Sequence, residues 1–291
     1  MANKSRDYPP DKSPLITVLR LLGKLLPGDY LKTIFYLNVI AWPRRVMRLC
    51  LGSFYRMDHI YEVLKEFKSA YTGNFSILEF GTADGYAFTK MLYATKYLGM
   101  DKRVVVHAFD SFEGMPAAVD AKDQDVIAND NWVQGQFRGR YEELEEYCHR
   151  RYNNYSIHKG YFEKTLTDEV LASLKSNLPI LVWFDCDYYT SCRTVFERLY
   201  PFLPSGCVIY FDDYNLNFGS RFTGEAALVY QINQGLFGKG LELVLDRNLS
   251  LNSTKVYRFI NFFQSDIRYE RLSKGNWASQ LRVRTNDSPL P

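Results

Sequence analysis

Residues 77–85 read Ile77-Leu78-Glu79-Phe80-Gly81-Thr82-Ala83-Asp84-Gly85, an apolar run that closes on an acid and two glycines. A short apolar run suits a buried strand, and glycines directly after it let the backbone turn tightly into a helix and approach a ligand closely. Outward from this point the pattern repeats. Short apolar runs at 103–109, 155–158, 180–184, 207–211, 241–245 and 255–260 alternate with amphipathic stretches near 86–98, 139–152, 167–175, 190–202 and 222–237. Such alternation builds βαβ units and a parallel sheet. The last two runs have no helix between them and are expected to pair antiparallel through Asp246 to Ser253.

The chain before this pattern is helical. Ser13-Pro14 can cap and start a helix over 14–26, in which Leu15, Val18, Leu19, Leu22, Leu25 and Leu26 recur at helical spacing with Arg20 and Lys24 opposite. A second helix, 30–42, is apolar nearly all round until Pro43, so both are expected to bury against the main α/β domain or a second subunit. A third, from about Asp58 to Tyr71, carries Ile60, Val63, Leu64 and Phe67 on one stripe. Three parts follow: an N-terminal helical extension (1–74), an α/β domain (75–263), and a polar, peripheral tail (264–291). Residues 117–138 show no period and read as a loop over the site. The fold class is α/β: a Rossmann-like, doubly wound, mostly parallel sheet of seven strands with a C-terminal antiparallel strand pair, plus the N-terminal helical extension.

With 291 residues, 46% of them hydrophobic, the chain can bury one α/β core and still carry extensions. Its 36 Lys and Arg nearly balance 33 Asp and Glu, a net charge of +3, which lacks the basic excess of a nucleic-acid binder. Cys50, Cys148, Cys186, Cys192 and Cys207 include no Cys-x-x-Cys pair and no His at zinc-ligand spacing, which points away from a disulfide framework or zinc and towards a cytoplasmic protein. The polar N-terminus reads poorly as a secretory signal, and no run approaches the ~20 apolar residues that span a bilayer.

The turn after Glu79 lacks the full Gly-x-Gly-x-x-Gly fingerprint, because Ala83 and Tyr86 stand where glycines belong. A cofactor without a pyrophosphate fits it better than a nicotinamide dinucleotide. The second strand ends in Phe109-Asp110-Ser111-Phe112-Glu113-Gly114, and a carboxylate there can accept both hydrogen bonds of a ribose diol. An ordinary strand-to-helix turn and a capping Asp110 would each leave part of this pattern; their joint occurrence at two strand ends favours a cofactor.

Further along, Ile180-Leu181-Val182-Trp183-Phe184 runs into Asp185-Cys186-Asp187-Tyr188-Tyr189, and Cys207-Val208-Ile209-Tyr210-Phe211 into Asp212-Asp213-Tyr214. If the two strands are parallel neighbours, four carboxylates meet at the sheet edge where ligands bind in this architecture. Crowded carboxylates repel, and a hard divalent cation with oxygen ligands is the simplest neutraliser. The bland alternative has Asp187 capping the helix near Thr190, with Asp212 and Asp213 as loop acids. His107 and His158 fall in or beside strands and suit core or supporting roles.

These blocks, together with Lys159-Gly160-Tyr161-Phe162 and Thr165-Leu166, resemble the macrocin O-methyltransferase family over about residues 75–260. That family methylates hydroxyls on the sugars of natural products. The resemblance implies S-adenosylmethionine bound by Glu79, Gly81, Thr82, Asp84, Gly85, Asp110 and Ser111, with Gly160, Tyr161 and Phe162 near its adenine. It implies a magnesium ion on Asp185, Asp212 and Asp213, and Asp187 as general base. The chain departs from the family at Ser205-Gly206, where two glycines are usual, and over Asn215 to Gly224, which bears on the acceptor. The expected partner is a small hydroxylated acceptor, in sugar form, and a homo-oligomer is expected. Two other classes remain: a Rossmann-like metal enzyme or sugar-nucleotide binder, and a membrane-surface methyltransferase on a lipid-linked glycan that uses helix 14–26 as an anchor.

Overall fold

The computed structural model describes residues 31, 56–124, 133–250, 255–263 and 266–272. The expected helices 14–26 and 30–42 lie outside them, save residue 31.

The described chain runs α1 (Arg56–Ala70), β1 (Asn74–Phe80), α2 (Tyr86–Tyr97), β2 (Val104–Asp110), α3 (Tyr141–His149), β3 (Tyr155–Lys159), α4 (Phe162–Thr165), α5 (Asp168–Ser173), β4 (Asn177–Phe184), α6 (Tyr189–Leu199), β5 (Val208–Phe211), α7 (Gly224–Asn233), β6 (Leu241–Leu245) and β7 (Lys255–Asn261). The strands form one sheet in the order β3-β2-β1-β4-β5-β7-β6. The first five are parallel, and β7 runs antiparallel to both β5 and β6, as the missing crossover helix requires.

Alternation along the buried strands sends successive residues to opposite faces. Ile77, Leu181, Trp183 and Tyr210 meet α1 and α2 on one face, through Ile60, Val63 and Phe67 of the expected stripe and Phe88 and Met91. Leu78, Val182, Phe184 and Ile209 meet α6 and α7 on the other, through Val195, Phe196, Leu228 and Ile232. The β1–β4 register shifts once, between Ser76 and Ile77, and beyond it the strand ends align: Phe80 pairs with Phe109 and Phe184, and Phe184 with Phe211. The four rings stack as a row across the sheet, at centroid separations of 4.7, 5.8 and 5.1 Å. The residues that follow them, Gly81, Asp110, Asp185 and Asp212, therefore arrive together at the carboxyl edge.

Helix α6 ends earlier than the sequence pattern suggests. Pro201 has no N–H to continue the ladder, and Tyr200–Phe202 tightens into a 3-10 turn. The start of the tail is not peripheral, which corrects the sequence expectation. Tyr71 bridges to Arg271, and the Tyr269 ring packs on Phe67, Tyr71 and Phe75. One aromatic in a polar segment carries no periodicity, so this docking leaves no sequence signal. Arg258 of β7 links α1 to the β6–β7 connection by pairing with Glu66 and Asp246 at 2.7 and 2.9 Å.

Candidate active site at the carboxyl edge

On the β1–β2 side the turn is built around close approaches. Gly81 has φ +94°, and a Cβ there would stand 1.9 Å from the Asp185 carbonyl oxygen, so only glycine lets β1 leave the sheet beside β4. Gly85, also left-handed, begins α2 with its backbone against Leu144. Glu79 and Thr82 are buried, and the Thr82 hydroxyl makes no hydrogen bond. An orphaned buried hydroxyl beside an open glycine turn is what a polar ligand would satisfy.

Asp110 reaches back across this turn. Its carboxylate accepts the amide N–H of Ala83 at 2.8 Å and of Phe112 at 2.6 Å. Burial pushes its carboxyl upwards, while the amides of Ala83, Phe112 and Thr82 pull it down. Gly160 donates its N–H to the Asp110 carbonyl, Phe162 meets Phe80 edge-on, and the half-exposed Tyr161 donates its hydroxyl to Glu113. Two predicted residues stand apart from the group. Asp84 is exposed and paired with Arg140 at 3.1 Å, and the Ser111 hydroxyl shapes its own turn, accepting from Glu113 N–H and donating to the Gly114 carbonyl.

On the β4–β5 side the acids converge. A carboxylate oxygen from each of Asp185, Asp212 and Asp213 lies within 4.8 Å of the others. At that separation and an effective dielectric of about 20, each pair of like charges repels by about 3 kcal/mol. The donor set is all oxygen and three-fold, so it fits a hard divalent cation. Asp187 is buried and held in a left-handed backbone at φ 58°, a conformation costly for a non-glycine residue and common at functional sites. Tyr210 donates its hydroxyl to Asp212 at 3.0 Å.

Two acids here escaped the sequence reading. Asp123, from the loop over 117–138, takes the Thr190 amide at 3.0 Å and its hydroxyl at 2.7 Å. It thus does for the start of α6 what the bland alternative gave to Asp187. Glu225, in the first turn of α7, is 1% exposed and accepts the Asp213 amide at 3.0 Å. Its carboxyl is pushed well above the usual range by burial, then by Asp213, the Cys186 thiol, Asp187 and Asp212. In sequence Glu225 is an ordinary helix-starting acid, and Asp123 an ordinary loop acid. Away from the edge, His107 and His158 share a hydrogen bond of 3.1 Å and stack beside Phe109, supporting roles as expected.

With this geometry in place the family follows. The profile of the macrocin-O-methyltransferase (TylF) family matches residues 39–234. The chain belongs to that family. Membership makes it a methyltransferase, and an enzyme. Two solved structures share its fold: calicheamicin methyltransferase CalS11, at 20% identity, TM-score 0.56 and coverage of 87% of this chain and 94% of that one, and the O-methyltransferase NovP, at 19% identity, TM-score 0.51 and coverage of 70% and 79%. Among curated protein sequences nothing matches. Among the described residues no helix is long and apolar enough to cross a membrane.

Proposed function

We propose that this family member transfers the methyl group of S-adenosylmethionine to a hydroxyl of a sugar or glycosylated natural product, assisted by magnesium or another hard divalent cation. The observation that supports this most is the convergence of Asp185, Asp212 and Asp213 next to the Gly81 turn that abuts Asp185. When bound, the cofactor supplies an electrophilic methyl and the cation the positive charge that lowers the acceptor hydroxyl's pKa. Asp185, Asp212 and Asp213 hold the cation. Glu79, Gly81, Thr82, Gly85 and Asp110 hold the cofactor, with Gly160, Tyr161 and Phe162 over its adenine end; Asp84 and Ser111 act through the shape of the turns. Asp187 accepts the proton of the acceptor hydroxyl, and the strained backbone that fixes its carboxylate keeps it clear of the α6 cap supplied by Asp123.

In the same reading the N-terminal extension ahead of α1, which itself packs on the sheet, is a lid or subunit contact, 75–263 is the catalytic unit with 264–291 its tail, and the enzyme works as a cytoplasmic homo-oligomer. Titration calorimetry with S-adenosylhomocysteine tests the cofactor, and absence of binding would remove it. Mass spectrometry of hydroxylated glycosides incubated with enzyme, cofactor and magnesium, with and without excess chelator, tests the rest. Methylation lost on chelation is the expected result, and full activity in chelator would sink the cation's role.

A further inference from the structure

We propose that Glu225 is a positioning residue of the cation site, fixing Asp213 and lending the site a fourth carboxylate; this rests on the reading that Asp185, Asp212 and Asp213 hold a divalent cation. Three observations converge on it. Glu225 Oε2 accepts the Asp213 amide N–H, so the side chain sets the backbone from which Asp213 projects. Glu225 Oε1 is buried and has no hydrogen-bond partner. The amide it holds belongs to Asp213, one of the three acids whose carboxylate oxygens lie within 4.8 Å of one another. Gly224 starts α7 beside the Asp187 carbonyl in a left-handed backbone at φ +56°, a conformation that favours glycine.

A helix-starting acid ordinarily gains from the partial positive charge of the helix terminus, but that gain is small and belongs to exposed positions. Here the carboxyl is fully buried, and its second oxygen has no partner to repay the lost hydration. The bond to the Asp213 amide does not need a charge, because the carbonyl of a glutamine would accept it equally well. A carboxylate at this position therefore works against the stability of the empty fold. It is accounted for by a positive charge entering the cluster, with Oε1 turned to the hydrated cation. Such supporting partners orient ligands and commonly change metal affinity by about 10–100-fold.

The test uses chelator-stripped full-length protein without cofactor, titrated with manganese(II) as the probe and read by loss of the free-ion electron paramagnetic resonance signal. Thermal melting is measured alongside, with and without the ion. Wild type, Asp185→Asn, Glu225→Gln and Glu225→Ala are compared. The inference expects Glu225→Gln to weaken manganese binding about 10–100-fold while melting, ion-free, at or above the wild-type temperature. Glu225→Ala, which also loses the bond to Asp213, should weaken binding at least as much. Wild-type affinity in Glu225→Gln, with binding abolished in Asp185→Asn, would overturn this inference alone. A lower ion-free melting temperature with unchanged affinity would also overturn it, reducing Glu225 to a structural residue. Failure of the wild type to take up manganese would overturn the cation reading itself, and this inference with it.

Discussion

At the end of β2 a carboxylate meets the chain's own amides; at the ends of β4 and β5 carboxylates meet one another. Asp110 is enclosed by the N–H groups of Ala83 and Phe112, so its charge already organises the turn that would face a cofactor. Asp185, Asp212 and Asp213, with Glu225 behind them, are brought together by sheet register at a separation that favours an incoming cation. The two regions share an edge and a row of phenylalanines, but one is shaped by local hydrogen bonds and the other by non-local convergence. Changes on the first side should therefore disturb the fold and cofactor together. Changes on the second should alter cation binding and chemistry while leaving cofactor binding in place.

The largest effect expected is on the chemical step. Asp187→Asn should lower single-turnover methyl transfer by about 10²–10⁴, the usual share of a general base, with cofactor and manganese binding near wild type. Unchanged turnover would pass the proton to another group and break the division of roles within the β4–β5 side.

Next comes the seam between the regions. Gly81→Ala places a Cβ on the Asp185 carbonyl in a left-handed backbone, so overpacking and strain should together cost about 2–4 kcal/mol. Urea unfolding should report that loss, and both cofactor and cation binding should weaken. A variant that loses only one of the two would show that the regions are less connected than this contact implies.

Asp110→Ala should weaken S-adenosylhomocysteine binding by about 1.5–3 kcal/mol, the range for losing a charged hydrogen-bond partner, with manganese binding unchanged. Calorimetry checks the first and electron paramagnetic resonance the second. A parallel loss of cation binding would erase the contrast between the two sides.

The remaining effect is a pH dependence in the body of β2. Burial, then the neighbouring His158, lowers the His107 pKa from 6.5 to about 3. The unfolded chain therefore binds a proton below about pH 6.5 that the folded chain refuses down to about pH 3. Across that window this group makes stability fall as the pH falls, by up to about 1.4 kcal/mol per unit, and it contributes no slope above it. Urea unfolding at pH 7 and pH 5 should show the loss, and His107→Gln should reduce it. An identical slope in the variant would assign the acid sensitivity to other groups.

The strands, their order of use and the positions of Gly81, Asp110, Asp185, Asp187, Asp212 and Asp213 at strand ends were legible in the sequence, because strand period and turn residues are local properties of consecutive positions. The antiparallel β6–β7 pair was legible for the same reason: a connection of that length without a helix cannot cross over to a parallel partner. What only the tertiary structure decided are relations between distant residues. Asp123 caps α6 across 67 positions, Glu225 supports Asp213 across 12, Tyr269 closes the aromatic cluster of α1 and β1, and Arg258 joins Glu66 to Asp246. An isolated acid, tyrosine or arginine in a polar stretch carries no period, and its partner is set by sheet register and helix docking rather than by its neighbours in the chain.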